Sequence, residues 1–177
     1  TFLLAARYDN HNEADVVEAR TLQGRLVENV ILPERNTFLY GRLNFRNTAA
    51  GNLSVVYKFK NMSVRNQDAG DFVLPEHAIN SFDHENEMRF FDTKTWPNFV
   101  NEFRGGVRKR GENFDDVTHA PGIIVLGFFY GGGAQVSRRE GDTTANVEDI
   151  ASWSLAKHTL RFGGGTRPRY LSMVNET

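Results

Sequence analysis

Cysteine is absent from all 177 residues, which removes disulfides, zinc–thiolate centres, iron–sulfur clusters and thiol catalysis together. A chain without cysteine survives either redox condition, so its compartment stays open. Charge of one sign is lacking too. The formal net charge is −1, so no global field draws the molecule toward nucleic acid or an anionic membrane. Long apolar runs are missing as well. The longest candidate, residues 122–130, falls far short of the roughly 20 residues of a membrane-spanning helix. It reads as a buried strand, and no membrane span is expected. The chain opens on Thr1 rather than Met, as a processed product or an excised domain would.

What is present is ordinary in bulk and informative in pattern. Apolar residues make up 40% and charged residues 24%, the balance of a soluble globular chain rather than a disordered one. The length suits one β-rich domain over residues 1–177. Strand signals are numerous. In residues 41–59, Leu43 and Phe45 alternate with Arg42, Asn44 and Arg46; after a polar turn at 47–52, Leu53, Val55, Tyr57 and Phe59 alternate with Ser54, Val56 and Lys58. That period of two predicts an antiparallel hairpin with one face packed and one exposed. Further strands are predicted at 2–8, 25–32, 87–91, 123–130, 134–138, 158–162 and 169–174. Residues 12–20 fit helix and strand equally.

Two segments predict short helices. Pro97 suits a first helical turn, Phe99, Val100 and Phe103 follow at helical spacing, and Gly105 can stop the run. Asn146 can cap a second helix with Val147, Ile150, Ala151 and Ser154 along one face and Trp153 in the core. Residues 74–80 predict a single turn. The fold class expected is therefore mainly β, an antiparallel β-sandwich or open barrel of immunoglobulin-like or jelly-roll-like kind, with two short helices. Fourteen Phe fit the aromatic core of such a fold.

Catalytic patterns are scarce. His11, His77, His84, His119 and His158 are scattered, with no pair at metal-ligand spacing, so no metal or cofactor is expected. The acidic stretch 82–87 offers oxygens for calcium but lacks the loop spacing that ion needs, and reads as a solvated turn. Residues 115–119 have no nucleophile beside them. No Gly-x-Ser-x-Gly elbow occurs. The two Gly-Gly-Gly runs, 131–133 and 163–165, read as hairpin turns rather than phosphate loops. Sequons stand at Asn52, Asn61 and Asn175.

Two surface features remain. Arg104, Arg108, Lys109 and Arg110 lie between glycines in what reads as a loop, a place for phosphate or sulfate groups; Arg138, Arg139, Arg167 and Arg169 would join them if the fold brings them together. Without interleaved aromatics, nucleic acid is disfavoured as the partner. Trp96, Tyr130 and Tyr8 sit beside proline, glycine or polar residues, where an aromatic platform and nearby Asp9 and Asn10 would suit a sugar ring.

Residues 27–59 resemble the opening hairpin of the starch- and glycogen-binding modules of amylases and glycogen-targeting phosphatase subunits. Gly41, Leu43, Phe45, Asn47, Ala49, Leu53, Val55 and Tyr57 fit that pattern, and residues 8–12 echo the family's aromatic-Asp-Asn-Asn segment at the other end of the chain. Ala50 replaces a family aromatic, and the tryptophan expected after the second strand is missing. The resemblance implies a noncatalytic module recognising a glycan or similar polar ligand. A structural or assembly protein, such as a viral or phage capsid or surface domain forming a homo-oligomer, is the alternative. A barrel enzyme with an interior apolar pocket is the third.

Overall fold

The structure, a computed structural model, describes residues 1–48 and 51–175. Ala49, Ala50, Glu176 and Thr177 lie outside the described residues, and with them the tip of the predicted 47–52 turn and the end of the third sequon. Alternating sequences pair over unusual lengths here. The strands are β1 (Phe2–Thr21), β2 (Gly24–Thr48), β3 (Gly51–Gln67), β4 (Ile79–Trp96), β5 (Phe99–Asp116), β6 (Ile123–Val125), β7 (Phe129–Gly131), β8 (Arg138–Leu155), β9 (His158–Thr166) and β10 (Arg169–Asn175). The mainly β, antiparallel fold is the one the sequence predicts.

Eight strands form one sheet in the order β1-β2-β3-β4-β5-β8, followed by β9 and β10, which both pair with β8; β6 and β7 form a separate two-stranded sheet. β10 lies along residues 138–144 of β8 and β9 along 147–155, so the two are one strand line interrupted at Arg167 and Pro168. Proline lacks the N–H a ladder needs, and here its carbonyl accepts instead from the Ala145 amide at 3.1 Å. From β1 to β5 each strand pairs with its sequence neighbour, an up-and-down meander; β5 then pairs with β8 across the intervening β6–β7 hairpin.

The two ends of the sheet differ. At one, the connections between strands are short, residues 97–98 and 156–157. At the other run the long connections 68–78 and 117–137, together with the tip of the β1–β2 hairpin, which extends beyond β3. The long connections fold onto that extension. Val17, Ala19 and Val30 pack there against Ala69, Leu74, Ala78 and Phe129, with Leu26 and Leu32 alongside. Backbone bonds fasten this cap: Glu18 N donates to Asp71 O at 2.7 Å, Tyr130 N to Phe72 O at 2.8 Å and Arg20 N to Phe128 O at 3.2 Å.

Several local expectations are corrected. Both predicted helices are strands, because Phe99 and Phe103, and Val147 and Ala151, satisfy a period of two as well as one of four. Paired neighbours on both sides of β5 and β8 then decide. Residues 12–20 are strand. Residues 122–130 are no buried central strand but the small β6–β7 hairpin, with Ile124 and Leu126 exposed. Residues 134–137 lie outside any strand, and the acidic stretch 82–87 is in β4, not a turn. Gly163 and Gly165 lie inside β9, where a Cβ would come within 2.5 Å and 2.8 Å of β8 carbonyl oxygens; their bareness permits close strand approach. The single turn is there, a 3-10 turn at Pro75–His77.

Phe129→Ala is expected to destabilise the cap by about 3–5 kcal/mol. Hydrogen exchange should then show lost protection at the Asp71 and Tyr130 amides, with the β3–β4 ladder unchanged.

Candidate functional site

Directly opposed residues of antiparallel strands share a face, and successive residues alternate. The registers can therefore be followed across the sheet. One row reads Phe2, Leu43, Val55, Phe90, Gly105 and Val147; two residues along, the same face carries Leu4, Gly41, Tyr57, Met88, Val107 and Ala145. Phe45, Leu53 and Phe103 extend this face one way, and Ala6, Leu39 and Phe59 the other. It is an apolar face over the middle of the sheet, and nothing among the described residues covers it: Leu43 is 49% exposed, Tyr57 43% and Val107 51%. The hairpin alternation is as the sequence predicts, but the apolar side is the open one. The buried cluster sits in the cap instead.

Aromatic rings mark the short-turn end of this face. Trp96 opposes Phe99, which opposes Trp153, which opposes Leu160. The Trp96 and Phe99 ring centroids are 5.2 Å apart, and the Lys94 ammonium lies 5.1 Å from the Trp96 ring. Trp153, expected in a core, is 45% exposed, because the helix that would have buried it is a strand. Between this row and the apolar middle stand Asp92, Lys94, Asn101 and Asp149, with Asn101 donating to Asp149 at 2.8 Å. Toward the long-connection end the face turns polar again through Asn86, Lys109 and His84, bordered by Tyr8 and Tyr170.

The opposite face is ionic. Lys58 pairs with Glu87 at 3.3 Å, and Arg89 pairs with the same carboxylate. Asp83 receives Arg110 at 3.0 Å and Lys60 at 3.6 Å, and Arg110 reaches Glu112 at 3.3 Å. Asp142 holds Arg108 at 2.8 Å and Arg169 through two bonds of 3.0 and 3.1 Å. Nearer the short-turn end, Arg104 faces Glu148 at 3.7 Å and Arg161 faces Glu102 at 3.6 Å. These pairs run as a ladder across β3, β4, β5, β8, β9 and β10, all on one side.

The expected sites are distributed differently. Arg104, Arg108 and Arg110 are not on a loop; they occupy alternate positions of β5 on the ionic face, while Lys109 points to the other side. Arg138 and Arg169 share the ionic face, and Arg139 is on the apolar side. Tyr8 and Asn10 lie on the apolar face of β1, and Asp9 on the ionic face pairs with Arg7 at 2.8 Å. Trp96 shares a face with Tyr8 but at the other end: Tyr8 lies in the row of His84, and 12 residues of β4 separate His84 from Trp96. Tyr130 belongs to the cap, 6.1 Å from the His77 ring, lining a cleft of about 580 Å³ with Glu13, Asp15, Glu34 and Asp71. Tyr8, Trp96 and Tyr130 are therefore not brought together.

Of the acidic members of the ladder, Asp83 and Glu87 stand in the stretch 82–87 that reads as a solvated turn, and Asp142 is not singled out by the sequence. Their signal was the period of two in 83–89 and 104–112, where charge recurs on alternate residues. No helix among the described residues is long and apolar enough to cross a membrane. Compared with protein-family models, curated proteins and solved structures, the chain matches none.

Asp83→Asn is expected to lower stability by about 1–2 kcal/mol, since Arg110 and Lys60 lose their shared carboxylate. A urea unfolding midpoint measures it, and pairing the change with Arg110→Met should recover part of the loss.

Proposed function

We propose that this chain forms part of the wall of a transmembrane β-barrel that conducts or receives polar solutes. Its apolar face meets lipid and its ionic face lines the interior. The observation that carries the reading is the partition of the sheet: rows of Phe, Leu, Val, Tyr and Met left uncovered on one side, and a ladder of paired Arg, Lys, Asp and Glu on the other. In a water-soluble sheet the apolar side is the one that is covered. In a membrane barrel the order is reversed, apolar outward and polar inward.

Three further features support it. The long strands run to 17–25 residues, against the 5–6 typical of globular sheets, and exceed the roughly 9–11 that a tilted strand needs to cross hydrocarbon. The Trp96–Phe99–Trp153 row, and Tyr8 and Tyr170 opposite, stand where interfacial aromatics border such a band. The connections 97–98 and 156–157 at one end are two residues long, whereas 68–78 and 117–137 run at the other beside the β1–β2 turn, an asymmetry like that of barrels of this kind. The helical criterion of about 20 apolar residues does not apply to strands, which need only every second residue apolar.

A sugar-binding role for the loop aromatics remains compatible with this reading only at the cap, where Tyr130 lines an open cleft. Trp96 and Tyr8 lie on the lipid side, at opposite borders of the apolar band.

Purified chain refolded with phosphatidylcholine vesicles should show a blue-shifted emission from Trp96 and Trp153 that is quenched by brominated acyl chains. Val55→Arg, on the lipid side, is expected to cost about 2–4 kcal/mol of insertion free energy. Asn146→Arg, at similar depth on the ionic side, should insert as the parent does. Equal insertion of the two variants, or emission indifferent to vesicles, would sink the proposal.

A further inference from the structure

The ionic face neutralises itself over most of its extent. Each lysine and arginine of the ladder stands within ion-pair distance of a carboxylate. That includes Arg104, Arg108 and Arg110, which the sequence offers as an anion site and which Glu148, Asp142 and Asp83 hold instead. Arg42 breaks the rule. It stands between Gly41 and Leu43 of the apolar rows, and so at the depth of the apolar middle but on the opposite side. Among the described residues no carboxylate pairs with it.

Its partners are neutral. Arg42 Nε donates to Asn44 Oδ1 at 2.9 Å and to Ser54 Oγ at 3.1 Å, and Ser54 Oγ donates to Asn44 Oδ1 at 2.9 Å. Ser54 is only 9% exposed, so this triangle fixes one edge of the guanidinium from a buried base. The terminal nitrogens bond to nothing among the described residues. Arg46, further along β2, is exposed and likewise has no carboxylate partner among them. Both arginines line a groove of about 850 Å³ whose walls include Asn44, Ser54, Thr93 and the Phe91 ring, and no acidic residue. Phe91 opposes Ser54 on the ionic face.

A charge at membrane depth that faces a polar interior marks a path for solute. A guanidinium with free terminal nitrogens is a planar fork that matches the oxygens of a carboxylate or a phosphate. Resting on the barrel-wall reading and naming the solute for its interior, we infer that the Arg42–Arg46 groove binds small organic oxyanions. The carboxylate or phosphate group sits on the two guanidinia, and the body attached to it packs against Phe91.

Binding is measured by calorimetry on the full chain refolded in detergent micelles, with insertion read separately from tryptophan emission. Phenyl phosphate and benzoate are the probes, phenol is the neutral control and inorganic phosphate the control without a ring. Binding of either probe supports the site and identifies the oxyanion; phenol should not bind. Arg42→Gln and Arg46→Gln should each weaken the bound probe by ~10-fold or more. Arg46 holds nothing else in the fold among the described residues, so its variant tests the groove without disturbing the Asn44–Ser54 base. Phe91→Ala should reduce phenyl phosphate to the affinity of inorganic phosphate. Arg161→Gln removes the same charge from the same face, beside Glu102, and should leave binding unchanged. No binding of either probe, binding of phenol as tight as theirs, or equal losses in the Arg42, Arg46 and Arg161 variants overturns the inference. Emission indifferent to micelles would instead overturn the barrel-wall reading, while the same titrations still decide the groove.

Discussion

Everything in this molecule depends on a ladder of backbone hydrogen bonds that extends in two dimensions and, among the described residues, has no second layer behind its body. In a layered domain, burial between elements offsets the entropy of ordering the chain. Here the described buried apolar residues are few, and most of them belong to the cap. The body of the sheet keeps its shape through strand pairing and cross-strand side-chain contacts, each modest alone. Such a sheet needs a medium on each side that suits the residues facing it. Hydrocarbon on one side and water or polar groups on the other meet that need.

The ionic face has its own logic. Surface ion pairs contribute little singly, but shared partners form networks whose members hold each other in place. Glu87 accepts two cations, Asp83 two and Asp142 two. Because each carboxylate sits on one strand and its cations on the same strand or the next, the ladder fixes register as well as charge. A slip of one residue would send every one of these groups to the apolar side. Cations and carboxylates alternate along it, so the ionic face is strongly polar without a field of one sign.

Much of the fold is legible in the sequence, and the misreadings have physical causes. The alternation of residues 41–59 identified both strands and assigned every side chain in them to the correct face. It could not say what the apolar face meets, because period two reports that residues leave water together and is silent about the medium they enter. Phe99 and Phe103 fit helix and strand alike, and only the pairing of β5 with β4 and β8 separates the two. The ion-pair ladder was out of reach for a different reason. Arg110 and Asp83 are 27 residues apart, and Arg108 and Asp142 are 34 apart, so partners become visible only once register is known. Arg104, Arg108 and Arg110 were therefore seen as a free cationic loop when they are half of a paired wall.

The cap links the most distant parts of the chain. From β1 to β5 each strand meets the one beside it in sequence, and β5 meets β8 across the connection 117–137. The bond from the Arg20 amide to the Phe128 carbonyl joins residues 108 apart, so the hairpin after β5 is fastened to the first strand of the sheet. Such a contact adds a slow step to an otherwise local process.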